Sequence, residues 1–168
     1  MIASQVAEIF RRDVRGVVYV SGMMLPGGGK FADVVSPLAA ENPAAAGIRP
    51  HLVWSQDKLT STVPARAARE IFFHDCSPDE ARDACTRLSP QPEGGRAISP
   101  RLTTERFGTV PRLYVEARND RSVVLAAQRQ MQLLVPGADV VSLDSGHVPQ
   151  LSMPEKLADG VIPWLMSR

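Results

Sequence analysis

Hydrophobic residues recur along the chain in patterns that change several times, and each pattern predicts a different element. Near the start they come at spacings of one, three and four residues, which predicts a helix with its apolar residues on one face over residues 1–12. Its main apolar positions are Ile2, Val6, Ile9 and Phe10. Residues 16–22 then form a β-branched run between two glycines, which predicts a strand buried on both faces, as in a parallel sheet.

Strand patterns return after residue 110. Residues 110–117 and 138–143 both have the apolar, β-branched composition of a buried strand. Pro111 stands near the start of the first of them, where a missing N–H is tolerated. Three strands joined by long connections predict a parallel sheet with right-handed crossovers, which is the α/β class.

Two helices are expected in this second part of the chain. The first covers residues 120–134, with Ser122 as a candidate cap, and ends before Pro136. The second begins at Pro154. Its inward-facing residues are expected to be Leu157, Val161, Trp164 and Leu165.

Residues 23–110 have a different character, because they hold nine of the chain's 14 prolines. Helices are predicted over 64–73 and 78–88, the second with Ser77 as its N-cap and Pro78 in its first turn. No strand alternation stands out. This part is therefore predicted to be an irregular, mostly helical insertion between two strands of the sheet.

The composition fits one domain and narrows the classes of partner. Of the 168 residues, 44% are hydrophobic and 22% are charged, with a formal net charge of +1. This balance argues against nucleic acid and against an anionic membrane surface as partners. No apolar run approaches the ~20 residues of a membrane span, and the N-terminus lacks a signal pattern. The two cysteines, Cys76 and Cys85, are expected to be free thiols in the cytoplasm.

Two residues stand where parallel sheets place functional groups, just past the carboxyl ends of strands. Asp120 comes three residues after the strand that ends at Ala117, and His147 comes four residues after the strand that ends at Leu143. A carboxylate that accepts the Nδ1–H of an imidazole leaves the other ring nitrogen free to act as a base. The alternative is that Asp120 caps a helix and His147 lies on the surface.

The tripeptide His74-Asp75-Cys76 contains three types of metal ligand, but it does not predict a metal site. Adjacent residues point in different directions, and no distant set of ligands accompanies them. A structural role within the insertion is expected instead, with contact to substrate as the second possibility.

Four stretches of the chain, taken together, resemble one family. They follow one another in the family's order across nearly the whole chain and are residues 17–26, 72–76, 110–116 and 145–152. The chain is similar to the α/β-hydrolase superfamily, and more narrowly to its methyl-esterase and hydroxynitrile-lyase group. The resemblance implies that residues 1–22 and 111–168 are the C-terminal part of the hydrolase core. It also implies that 23–110 are the family's cap over a substrate pocket.

The resemblance further implies the chemistry of the site. Asp120 would be the acid and His147 the base of a triad that hydrolyses a small ester-like substrate, with no metal and no organic cofactor. The candidate substrate-binding residues are Met23, Met24, Leu25, Trp54, Phe73 and Val148. Core packing is an equal alternative for the first three of these, and Trp54 either lines the pocket or packs within the cap.

The motif that would carry the nucleophile is missing from these residues. In the family a Gly-x-Ser-x-Gly turn directly precedes a helix that resembles residues 1–10, and no such motif occurs in the 168 residues. We therefore expect a truncated hydrolase fold that lacks the serine and the oxyanion-hole donors and does not hydrolyse esters alone. Two alternatives stay open: a short non-catalytic product that acts by interaction, and lyase chemistry on the same triad.

The strand over residues 16–22 would then lack a neighbour on one side. An open apolar edge is a template for pairing with another chain. We therefore expect the isolated chain to self-associate through this edge.

Overall fold

The fold consists of two β-sheets and the helices that pack on them. A computed structural model describes residues 1–95 and 98–168. The strands are β1 (Val17–Val20), β2 (Val53–Trp54), β3 (Thr60–Thr62), β4 (Gln91–Pro92), β5 (Arg112–Ala117) and β6 (Asp139–Leu143). The α-helices are α1 (Ile2–Ile9), α2 (Phe31–Glu41), α3 (Ala65–Ile71), α4 (Pro78–Thr86), α5 (Leu125–Leu134), α6 (Pro149–Ser152) and α7 (Pro154–Met166). None of the helices in the described part of the chain combines the length and the apolar character needed to cross a membrane.

The larger sheet is parallel, with strand order β1-β5-β6. Its register pairs Val17 with Arg112 on one side of β5, and Ala117 with Leu143 on the other. All residues of β5 are buried, because this central strand is covered on both faces. Within the described residues, β1 and β6 are the two edges. The predicted α/β fold with a three-stranded parallel sheet is confirmed.

Helices cover the two faces of this sheet with separate apolar clusters. On one face α1, α2 and α5 surround Tyr19 and Tyr114. On the other face α7 contributes apolar side chains, as predicted; they are Leu157, Val161 and Trp164. Leu165 does not join them and is 50% exposed. Trp164, the preceding residue, already contacts Gly16 and Asp139 at the amino ends of β1 and β6, so little of the sheet remains for Leu165 to pack against.

Residues 23–110 contain the two helices that the sequence predicts and a small sheet that it does not. Helices α3 and α4 confirm the prediction, and the Ser77 hydroxyl accepts the Glu80 N–H while the Glu80 carboxylate accepts the Ser77 N–H. Strands β2, β3 and β4 form an antiparallel sheet. The absence of strands was a wrong prediction, because strands of two or three residues are too short to show alternation.

Part of this insertion packs with the main core. Of its described residues, six buried ones lie in the same cluster as Tyr19 and Tyr114; they are Met24, Leu25, Val34, Val35, Phe107 and Val110. Residues 53–92, called the outer cap below, have a small apolar cluster of their own around Ala68, Phe73 and Ala81. The insertion therefore divides into an inner part that completes the core and an outer cap.

Glu8 links α1 to the segment that leads into β5. Its buried carboxylate accepts the backbone N–H groups of Thr103 and Phe107, both at 3.0 Å, and the Thr103 hydroxyl at 2.9 Å. Arg106 lies 3.5 Å from the same carboxylate. Burial alone would raise the pKa of Glu8, but these hydrogen bonds and the Arg106 charge outweigh burial and lower it.

Replacement of Glu8 by glutamine is expected to lower the free energy of unfolding by about 1–3 kcal/mol at neutral pH. The amide oxygen can keep both backbone N–H donors on Oε2, but the negative charge is lost and an NH₂ group faces the Thr103 hydroxyl and Arg106 in place of the other acceptor oxygen. The pKa of Glu8 is lower in the folded than in the unfolded state. Its contribution is therefore complete above the ordinary carboxyl range and is lost as the pH falls through the folded pKa. In urea unfolding, the difference in the free energy of unfolding between wild type and Glu8→Gln should become smaller toward acid pH. The exposed Glu41→Gln is the matched control, and a difference that stays constant with pH would contradict this account.

Candidate active site

Two loops meet at the carboxyl edge of the main sheet, where β5 and β6 end. The acid loop (residues 118–124) carries Asp120, and the base loop (residues 144–148) carries His147. Because β5 and β6 are parallel neighbours, their carboxyl ends lie side by side. The sheet therefore brings together two residues that are far apart along the chain.

The Asp120 carboxylate is fully buried and has three hydrogen-bond donors. Oδ1 accepts the backbone N–H of Ser122 at 2.6 Å and of Val123 at 2.9 Å, and Oδ2 lies 2.8 Å from Nδ1 of His147. A carboxylate only accepts, so Nδ1 carries the hydrogen. These bonds also show that Ser122 is not the cap of α5. The helix begins later, at Leu125, because the backbone at 122–123 turns toward Asp120 instead.

The imidazole of His147 is partly exposed and is held on two sides. Its side chain is 26% exposed, and Phe72 stacks on the ring with centroids 5.1 Å apart. Within the described residues, no hydrogen bond involves its Nε2. An imidazole with Nδ1–H bound to a carboxylate and Nε2 open can accept a proton from a nearby hydroxyl, and the buried Asp120 stabilises the cation that results.

Gln128 fixes the acid loop from α5. Its fully buried amide accepts the N–H of Ala117 at 3.0 Å and donates to the carbonyls of Ala117 and Val123 at 2.9 and 2.7 Å. Gln128 was not among the residues predicted from the sequence. The signal was present, because a glutamine beside Ala127 and Met131 on an apolar helix face must find buried partners.

The outer cap places some of the candidate substrate-binding residues beside the base loop. Phe73 is buried in the small cluster of the outer cap, and Val148 packs against that cluster. Phe72, which the sequence analysis missed, is the residue that contacts His147 directly. Trp54 lies on β2 of the small sheet, is not part of that cluster as the structure describes it, and is 45% exposed.

Met23, Met24 and Leu25 follow β1, as expected, but two of them are closed to a ligand. Met24 and Leu25 have no exposed surface and lie in the main core, so core packing is the arrangement found. Met23 is partly buried and packs against the same cluster. Of the three, only Met23 retains surface for contact with a substrate.

Three serines lie close to the two loops, and none of them is bonded to His147 in the part of the chain that the structure describes. The hydroxyls of Ser21 and Ser145 are buried without a hydrogen-bond partner. The Ser152 hydroxyl donates to Asp75 at 2.8 Å. None of these hydroxyls is positioned as a nucleophile for the imidazole.

The cysteines are free thiols, and Cys76 is not an activated one. Burial, with the charges of Asp75 and Glu80 added, raises the pKa of Cys76 to about 11. The thiol is therefore protonated at neutral pH, and a protonated thiol is a poor nucleophile.

Comparison with known proteins gives one family match and several relatives. A model of the alpha/beta hydrolase family matches residues 1–160. A pyrethroid hydrolase of Sphingobium wenxiniae is 43% identical over 74 residues, which are 44% of this chain and 23% of that protein. The putative chloroplastic methylesterase 13 of Arabidopsis thaliana is 23% identical over 158 residues, or 92% of this chain and 36% of the relative.

A solved structure has a similar fold. A methylesterase from Arabidopsis superposes with a TM-score of 0.81 at 14% identity, and the match covers 99% of this chain and 65% of that one. The chain thus spans about a quarter to a third of the curated relatives and under two thirds of the solved structure. These similarities concern esterases, but they match only part of each.

Proposed function

Because this chain belongs to the alpha/beta hydrolase family, we propose that it carries the acid and the base of a serine-type carboxylic ester hydrolase. The observation that carries the proposal is the 2.8 Å hydrogen bond between Nδ1 of His147 and Oδ2 of the buried Asp120. It supports a pair in which His147 is the proton acceptor and Asp120 orients it.

In this proposal a serine hydroxyl attacks the ester carbonyl while Nε2 of His147 takes the hydroxyl proton. The imidazolium returns that proton to the leaving alcohol, which departs and leaves an acyl-serine. Water then attacks the acyl group with His147 again as base, so that the acid is released and the serine is restored. Asp120 keeps the hydrogen on Nδ1 throughout and stabilises the imidazolium.

We propose that the nucleophile comes from polypeptide outside these 168 residues, which contain no Gly-x-Ser-x-Gly motif. The surface of α1 supports this. Its outward apolar side chains are 42–64% exposed and form a continuous stripe; they are Ile2, Val6, Ile9 and Phe10. Contiguous apolar surface of this kind is normally covered by protein. Self-association of the 168-residue chain through the open edge of β1 stays a prediction.

The substrate in this proposal is a small carboxylic ester. The side chains around His147 are aromatic or aliphatic: Phe72 of the outer cap stacks on its ring, and Val148, the next residue of the base loop, packs against the cluster that contains Phe73. Such a lining suits an apolar acyl or alcohol group and leaves the imidazole as the polar centre. Two of the relatives, a pyrethroid hydrolase and a putative methylesterase, agree by name with ester chemistry.

The in-frame DNA upstream of the Met1 codon tests the source of the nucleophile. A Gly-x-Ser-x-Gly sequence that ends just before Met1 is the expected result. A stop codon or unrelated sequence at that place would overturn the proposal and favour a short, non-catalytic product.

The purified 168-residue chain is expected to hydrolyse an unactivated alkyl ester such as ethyl butyrate no faster than its His147→Ala variant. Without a positioned serine the imidazole can only activate water, and each missing oxyanion donor costs about 3–4 kcal/mol of transition-state stabilisation. The initial rate at saturating ester is the measurement. Hydrolysis that disappears when Ser21, Ser145 or Ser152 alone is replaced by alanine would contradict this expectation.

A further inference from the structure

Two adjacent residues of the outer cap, His74 and Asp75, hold the two loops that carry Asp120 and His147. Nε2 of His74 lies 3.0 Å from the carbonyl oxygen of Asn119, the residue before Asp120. A carbonyl only accepts, so His74 donates this bond. Oδ2 of Asp75 accepts the backbone N–H of Gly146, the residue before His147, at 2.6 Å.

The Asp75 carboxylate contacts α6 as well as the base loop. Oδ2 also accepts the Ser152 hydroxyl at 2.8 Å, so α6 and the base loop share one acceptor. Oδ1 is screened from solvent and has no hydrogen-bond partner among the residues that the structure describes. Keeping a carboxylate oxygen dry and unpaired costs free energy, and such exceptions in a folded protein call for an explanation.

The backbone of the base loop fits closely against the same pair. A Cβ added to Gly146 would overlap Oδ1 of Asp75 and would lie 2.8 Å from Nε2 of His74. Only a residue without a side chain permits this approach. The outer cap therefore touches the base loop one residue before the imidazole, with no space for the loop to shift toward it.

We propose that His74 and Asp75 are positioning residues that set the distance between Asp120 and His147. The inference rests on the proposed function, because it assigns a role within that site. His74 fixes the acid loop, Asp75 fixes the base loop, and the peptide bond between them keeps the two anchor points in register. The outer cap then controls the alignment of the proton acceptor as well as the access of substrate.

The main fold does not depend on these two contacts. The loops are also joined directly, because the Asn119 N–H donates to the Ser145 carbonyl at 2.9 Å, continuing the ladder of β5 and β6. Loss of the Asp75 carboxylate should therefore leave the sheet intact and free only the tip of the base loop. A displacement of about 1 Å at a reacting group can lower the rate by about 100-fold.

The variants for the test are Asp75→Ala, Asp75→Asn and His74→Ala. Asparagine can keep an oxygen toward Gly146 and Ser152, with its amide nitrogen at the unpaired position, so it should rescue what alanine loses. His74→Ala releases the acid loop alone and serves if Asp75→Ala does not fold. Asp79→Ala, on the exposed first turn of α4, is the matched control.

The first readout is the Nδ1–H proton signal of His147 in NMR spectra of the 168-residue chain, which needs no nucleophile. The second is kcat and KM for a small ester in the polypeptide that includes the nucleophile. For Asp75→Ala and His74→Ala we expect the Nδ1–H signal to weaken or shift and kcat to fall about 10- to 100-fold, with KM within about threefold of wild type. Asp75→Asn and Asp79→Ala should keep the wild-type Nδ1–H signal and the wild-type kcat.

The outcomes separate the positioning role from the proposed function. A wild-type signal and kcat in a folded Asp75→Ala, while His147→Ala abolishes hydrolysis, would overturn the positioning role alone. An altered signal in Asp75→Ala, with hydrolysis that is insensitive to His147→Ala, would overturn the proposed function and leave the structural coupling. Equal losses in Asp75→Ala and Asp75→Asn would also refute the positioning role, because the accepted hydrogen bonds would then not matter.

Discussion

Replacement of His147 by alanine, in the polypeptide that carries both this chain and its nucleophile, is expected to lower kcat for ester hydrolysis about 10⁴- to 10⁶-fold. KM should change little, because the imidazole acts on the proton of the nucleophile rather than on the bound ester. Steady-state kinetics with a p-nitrophenyl ester measure both constants. The exposed His51→Ala is the matched control and should stay within about twofold of wild type.

Asp120→Asn should cost about 10⁴-fold in kcat by a different route. Oδ1 of Asp120 accepts the N–H groups of Ser122 and Val123, so the oxygen of the new amide must remain there. Its NH₂ group then faces Nδ1 of His147 and places the ring hydrogen on Nε2, which can no longer accept a proton. A kcat within tenfold of wild type in Asp120→Asn would contradict the assigned roles.

Gly47→Ala is expected to lower the free energy of unfolding by about 2–6 kcal/mol. The φ angle of Gly47 is +58° with ψ at −131°, a backbone conformation that costs other residues about 1–3 kcal/mol. A Cβ there would also overlap the carbonyl oxygen of Ser122 in the acid loop, and such overpacking typically costs a further 1–3 kcal/mol. Thermal or urea unfolding measures the change.

The variant Gly28→Ala distinguishes the cost of the backbone conformation at Gly47 from the cost of the overlap with Ser122. Gly28 has a φ of +78°, but nothing lies within 4 Å of the position of its Cβ. It should therefore show only the backbone cost, about 1 kcal/mol. Equal destabilisation by Gly28→Ala and Gly47→Ala would show that the contact with Ser122 contributes nothing.

The main sheet and the pairing of Asp120 with His147 can be predicted from the sequence, because both follow from short stretches of the chain. A β-branched run between glycines gives β1, and buried strands do not alternate, so β5 and β6 are visible as apolar runs. Asp120 and His147 follow from one rule, that the carboxyl ends of parallel neighbours meet. The structure adds the 2.8 Å bond between them.

The features that the sequence did not predict have both local and long-range causes. The start of α5 was placed too early because an Asp, Asn or Ser near a helix start looks like a cap, whereas Asp120 draws the backbone of 122–123 into its own turn. Helix α2 contains Pro37, which argues against a helix in any local pattern. Gln128 and the pair His74 and Asp75 become meaningful only when the loops that they bind are in place.

During folding, the contact between Asp120 and His147 is expected to form before the outer cap docks on the base loop. Asp120 and His147 are 27 residues apart, whereas Asp75 and Gly146 are separated by 71. Loop-closure entropy makes the longer connection about 0.9 kcal/mol more costly for a flexible chain. During folding, the strand–helix–strand unit from β5 to β6 can thus bring the imidazole to the carboxylate first. Docking of the outer cap would then be a later step, and its detachment a partial unfolding event that leaves the sheet assembled.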